Sequence, residues 1–104
     1  MKKNFDCIVI GYGPVGALLS IFLSKLGLSV AVIDKNLDVY PLPRAIHFDE
    51  EVMRIFQMVN LSKQISNISR IGTKGMHFVD DEDSILMERK GSNSIGEFGW
   101  QKSW

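Results

Sequence analysis

Eighteen residues from Cys7 to Ser24 carry no charge, and Gly11, Gly13, Pro14 and Gly16 interrupt them. A membrane span needs roughly 18 or more apolar residues in one helix. Here glycines and a proline crowd the middle, and a second apolar run, "LSVAVI", resumes directly after Lys25 and Leu26-Gly27. One spanning helix does not account for that resumption. A secretory leader fits no better: Lys2 and Lys3 precede the run, but Asp6 intrudes and no small-residue cleavage site follows. The stretch therefore divides into two elements of different period.

Residues 6 to 11, "DCIVIG", form a short apolar run rich in β-branched residues that ends at glycine, which predicts a strand buried on both faces. From Pro14 the period changes. Val15, Leu18, Leu19, Phe22, Leu23 and Leu26 form one broad helical face, and Gly27 supplies a stop. "SVAVID", Ser29 to Asp34, predicts a second buried strand. Strand, glycine turn, helix and strand make a βαβ unit, whose right-handed crossover sets the two strands parallel. A loop held extended by Pro41 and Pro43 leads to a second helix. Asp49 is its N-cap, Glu50 and Glu51 suit its dipole, and Phe48 is placed to staple onto Met53. Val52, Ile55, Phe56 and Val59 give its apolar face, and it is expected to end near Asn60. Residues 61–74 carry no clear pattern. Gly75 to Glu88 predicts a hairpin with an acidic turn at Asp80 to Ser84, and the stretch after it, rich in glycine and serine, predicts a loop without a closing element.

Gly11, Gly13 and Gly16 spell G-x-G-x-x-G between a strand and a helix, with Asp34 at the tip of the next strand. That context points to dinucleotide binding. Gly11 allows the tight turn, Gly13 lets a pyrophosphate approach the backbone, and Gly16 lets the helix pack close to the sheet. Pro14 suits the first helical position, and the N–H groups of the first turn, with the helix dipole, stabilise phosphate charge. Asp34 can accept hydrogen bonds from ribose hydroxyls and would repel a 2′-phosphate. NAD and FAD share the adenosine diphosphate half, and these residues read only that half.

Twelve basic and twelve acidic residues cancel, so charge offers no reason to expect nucleic acid or an anionic membrane as partner. The single cysteine, Cys7, excludes an internal disulfide and multi-cysteine metal sites; it reads as a buried strand residue in a protein of the reducing cytoplasm. Two histidines without carboxylates at ligand spacing argue against a metal site. His47, close to Arg44, reads as a structural loop residue although it could line a cofactor site, and His77 reads as a sheet residue.

"GYGPVGALLSIFLSKLGLSVAVIDK" followed by "YPLPRAIHFDEEVMRIFQMVNL" closely resembles the aromatic-ring flavoprotein monooxygenases, and within them the 3-(3-hydroxyphenyl)propionate hydroxylase branch. The resemblance runs from about Asp6 to Trp104 and includes the hairpin "GMHFVDDEDSILM". It implies an α/β, Rossmann-like FAD/NAD(P)-binding βαβ unit of the glutathione-reductase type, with a following helix and β-hairpin and an incomplete sheet. It further implies FAD as the bound dinucleotide, with NADH or NADPH as co-substrate. Gly11, Gly13, Pro14, Val15 and Gly16 would form the pyrophosphate turn, Asp34 would hold the ribose, and Lys35 would lie beside the adenosine. Arg44 matches the arginine of the family's Pro-Arg-Ala segment, which contacts the flavin cofactor; without the resemblance it would read as a solvated loop cation. Relatives mostly carry glutamate at the position of Asp34 and often arginine at that of Lys35.

In such enzymes reduced nicotinamide reduces the flavin, and dioxygen then forms a flavin C4a-hydroperoxide that hydroxylates a phenolic or aromatic acid. The partners implied are a small aromatic substrate and dioxygen, with a homodimer among the assemblies open to it. No catalytic residue can be identified in this chain, and Gln101 is not the family's flavin-contacting glutamine. The 104 residues are expected to be the N-terminal part of an FAD-binding domain without the substrate domain, inactive alone and marginally stable. Two other readings stay open: an NAD-binding dehydrogenase domain, against which the Pro-Arg-Ala segment argues, and a non-catalytic remnant.

Overall fold

The computed structural model describes residues 4–42 and 46–102. The chain divides into two compact units, the first within residues 1–44 and the second within 45–104. Arg44 lies outside the described residues.

The first unit is the βαβ unit. Strands β1 (Cys7–Ile10) and β2 (Val30–Ile33) pair in parallel with Cys7 opposite Val30 and Ile10 opposite Ile33. Helix α1 (Pro14–Lys25) joins them. Its end has the geometry that the glycine stop predicts: Gly27 sits at φ +85°, its N–H donates to Ser24, and the Leu28 N–H donates to Leu23. These two bonds form a Schellman cap and satisfy carbonyls that the helix leaves open. At the opening of the sheet, Asp6 and Ser29 lock the strands together. The Asp6 carboxylate accepts from the Ser29 N–H at 2.8 Å and from its hydroxyl at 2.5 Å, while the Asp6 N–H donates to the Ser29 carbonyl at 3.0 Å.

The strand pattern alone predicts cover on both faces, whereas the incomplete sheet expected from the same sequence leaves part of it open, and the structure has the open arrangement. Val9 is buried, but its neighbours Ile8 and Ile10 are 61% and 87% exposed, and Cys7 is only half-buried. The strand is covered on one face because α1 packs on one side of a two-stranded sheet; among the described residues nothing covers the other. The predicted face of α1 is likewise half-buried at best, and Val15 is 80% exposed.

The second unit starts with α2 (Glu50–Met58). Asp49 is its N-cap, with one carboxylate oxygen accepting from the N–H groups of Glu51 and Val52 at 3.1 Å each. Phe48 meets Phe56 edge to face at 5.8 Å, and Met53 is fully buried. Asn60 adopts φ +62° and ends the helix, with Leu61 donating to Phe56. A helix unanticipated from the sequence, α3 (Ser62–Ile68), then packs against α2. Its only apolar signal is Leu61, Ile65 and Ile68 at helical spacing within a polar run.

The hairpin forms as expected from β3 (Met76–Val79) and β4 (Ile85–Arg89), antiparallel with His77 opposite Glu88. Asp80 organises its turn by accepting from the N–H groups of Glu82 and Ser84. The segment expected to be open loop is instead closed by a bridge between Ile95 and Gln101. Arg54 lies 4.7 Å from the ring centre of Phe98, and the Trp100 indole donates to Gln57 at 3.0 Å, so this turn rests on α2.

Replacing Asp49 by alanine leaves two first-turn N–H groups without their acceptor. An N-cap loss of about 1 kcal/mol is expected, seen as a lower urea midpoint by circular dichroism. Asp49→Ser should retain most of the wild-type stability.

Candidate functional site

The three glycines of the turn sit in three different situations. Gly11 adopts φ +103°, a backbone conformation that residues with a side chain rarely adopt. Its N–H donates to the Ile33 carbonyl at 2.7 Å, so the chain leaves β1 while still tied to β2. Gly16 is required by packing: a methyl group there would overlap the carbonyl oxygen of Gly11. Gly13 is neither strained nor crowded. It is the N-cap of α1 at φ −78°, ψ −177°, and a methyl group built on it meets no atom within 4 Å.

Pro14 occupies the first position of α1 and Val15 follows in the same turn. Among the described residues no side chain caps this end and no acidic residue lies in the first turn, so the first-turn N–H groups have no side-chain acceptor there. The arrangement suits an external anion and leaves open the space in front of Gly13.

Asp34 stands beside this turn. One carboxylate oxygen, Oδ2, accepts from the Tyr12 N–H at 2.6 Å. The other, Oδ1, accepts from the Asn36 backbone N–H at 2.8 Å and from its side-chain amide at 3.0 Å. The backbone donors of Asn36 and Tyr12 hold the carboxyl below its ordinary value of 3.8, and the neighbouring Lys35 ammonium adds to this. Asp34 is thus a carboxylate at neutral pH, held at the mouth of the turn with Lys35 adjacent.

The structure thus brings Gly11, Gly13, Pro14, Val15, Gly16, Asp34 and Lys35 into one unit. Arg44 lies outside the described residues, and its role is not addressed by this geometry. His77 is 3.4 Å from Glu88 across the hairpin, which accords with a sheet role. His47 lines a cavity of about 30 Å³ with Met76 and Gly91 of the hairpin unit, space for a water molecule rather than a cofactor. Among the described residues no three His, Cys, Asp or Glu side chains group as metal ligands, and no helix is long and apolar enough to cross a membrane. Sequence reasoning missed the backbone contact between Asp34 and Tyr12; the two residues are 22 positions apart, and an acid at a strand tip does not by itself reveal it.

Residues 4–95 match the FAD binding domain family. Across 102 residues the chain is 33% identical to a Rhodococcus jostii protein named as a probable NADH-specific resorcinol 4-hydroxylase, covering 95% of this chain and 18% of that one. It is 38% identical over 60 residues to a 3-(3-hydroxy-phenyl)propionate/3-hydroxycinnamic acid hydroxylase of Burkholderia vietnamiensis, covering 58% of this chain and 10% of the relative. A hydroxylase of the same description from Paraburkholderia xenovorans is 40% identical over 57 residues, 55% of this chain and 9% of its own length. The chain spans less than a fifth of the length of these relatives.

A carboxyl held below its ordinary value contributes stability that is complete above that value and is lost as pH falls through the lower, folded one. For Asp34 the window therefore opens near 3.8 and extends downward. Protection factors of the glycine-turn amides, taken relative to intrinsic exchange at each pH, should fall on acidification within that window, and Asp34→Asn should abolish that fall while leaving the hairpin amides unchanged.

Proposed function

The chain belongs to the FAD binding domain family, and we propose that its glycine turn holds the pyrophosphate of FAD on a Rossmann-like βαβ unit. Gly11, Gly13, Pro14, Val15 and Gly16 form the cradle, with the first-turn N–H groups as donors. Asp34 would accept from the adenosine ribose, Lys35 would flank the adenosine, and Arg44, which matches the arginine of the family's Pro-Arg-Ala segment, would contact the cofactor. The observation that carries the reading is Gly13. Gly11 and Gly16 are explained by backbone conformation and packing, whereas nothing among the described residues requires glycine at 13. A ligand that must approach the backbone supplies the missing reason.

In this reading residues 1–104 are part of an FAD-binding domain, and the complete activity is NAD(P)H-dependent hydroxylation of a phenolic or aromatic acid. The relatives' names support that reaction class, and one of them supports NADH as reductant. Bound FAD would supply the oxygen-transfer chemistry set out above. The chain's own residues bind and orient the adenosine end; none of them is assigned to the reacting ring. A cytoplasmic location accords with a nicotinamide co-substrate, and a homodimer belongs to the same proposal.

Gly13→Ala tests it. The substitution has room and an ordinary backbone conformation, so far-ultraviolet circular dichroism should match wild type. FAD affinity by fluorescence quenching should fall by about tenfold or more, or ~1.4 kcal/mol. Equal FAD affinity in the two proteins, or no FAD binding by the wild-type chain, would overturn the assignment of the turn.

A further inference from the structure

We propose that Asp34 is a positioning residue for the glycine turn: it clamps Tyr12 and so builds the anion cradle before any nucleotide arrives. The Tyr12 N–H lies between Gly11 and Gly13, and Asp34 Oδ2 takes it at 2.6 Å. The carboxylate is itself fixed by the two Asn36 donors on Oδ1, so it acts as an anchored acceptor instead of a swinging side chain. Gly11 is already tied to Ile33, the residue before Asp34. The end of β2 thus holds two successive N–H groups of the turn, one through its backbone and one through Asp34.

The bond has a second consequence. With its N–H committed to Asp34, Tyr12 is not a phosphate donor, and the cradle is left to the N–H groups that follow it. Three donors already engage the carboxylate, so roughly one of its about four lone-pair sites stays open for a hydroxyl. Clamping and ribose recognition are therefore compatible on the same side chain. The clamp itself is independent of the FAD reading, whereas its value for anion binding rests on that reading.

The two roles separate in an experiment with inorganic pyrophosphate, which has no ribose. Asp34→Asn removes a negative charge near the cradle, so electrostatics alone would tighten pyrophosphate binding. Loss of a preorganised turn acts in the opposite direction and is expected to weaken binding by about threefold or more, measured by amide shift titration. In the wild-type chain without ligand, the Tyr12 amide proton should move downfield as Asp34 ionises, with the same midpoint as the Asn36 amide. Lys35 is the charged neighbour that acts on this titration. That measurement needs no variant and so survives any folding defect of Asp34→Asn.

A Tyr12 amide that does not follow Asp34 overturns the clamp. Pyrophosphate affinity that is unchanged or higher in Asp34→Asn overturns its part in building the cradle. If the wild-type chain binds neither pyrophosphate nor ADP, the cofactor reading fails, and the amide titration still decides the clamp.

Discussion

A two-stranded parallel sheet holds its shape here because the helix that joins the strands sits hard against the turn it leaves. Gly16 makes that approach possible: its Cα faces the Gly11 carbonyl so closely that no side chain could intervene. Parallel pairing is slightly weaker per residue than antiparallel pairing, and four residues a strand give few ladder bonds. The sheet is therefore tied at both ends by aspartates. Asp6 engages Ser29 where the strands begin, and Asp34 engages Tyr12 where they finish. The contacts of Gly11 with Ile33, of Gly16 with Gly11 and of Asp34 with Tyr12 fix where the first turn of α1 points.

The glycine motif was legible because each of its requirements is local. A strand of β-branched residues, a tight turn and a helical period follow one another within 20 residues, and the paired strands return exactly one crossover later. The caps were legible for the same reason: Asp49 and Gly27 act on groups a few positions away. What local pattern could not supply was contact across the unit. Asp34 was expected to face a ribose, and the structure adds Tyr12 to its partners. The helix α3 was missed because its polar residues dilute a spacing of only three apolar positions, and its packing on α2 is what gives that spacing a use. The turn closed by Ile95 and Gln101 was missed because glycine and serine advertise flexibility, while Phe98 and Trp100 find partners on α2.

Burial follows the size of the sheet more than the hydropathy of its strands. An apolar β-branched run reads as a strand covered on both faces, since parallel sheets are nearly always so covered. That inference concerns the sheet in which such strands usually reside, and the described residues supply cover to one face only. Val9 and Ile10 are adjacent in the same run, yet one is buried and the other lies open. Hydropathy alone cannot distinguish them; the side on which α1 packs does.

Few side chains are fully buried among the described residues, so packing alone does not account for the definition of the turn. Its geometry comes instead from constraints that act at short range: a positive φ at Gly11, a close approach at Gly16, a Schellman cap at Gly27 and the anchored carboxylate of Asp34. Each of these works whether or not the open face of the sheet is covered. The turn is thus shaped, among the described residues, within the βαβ unit itself.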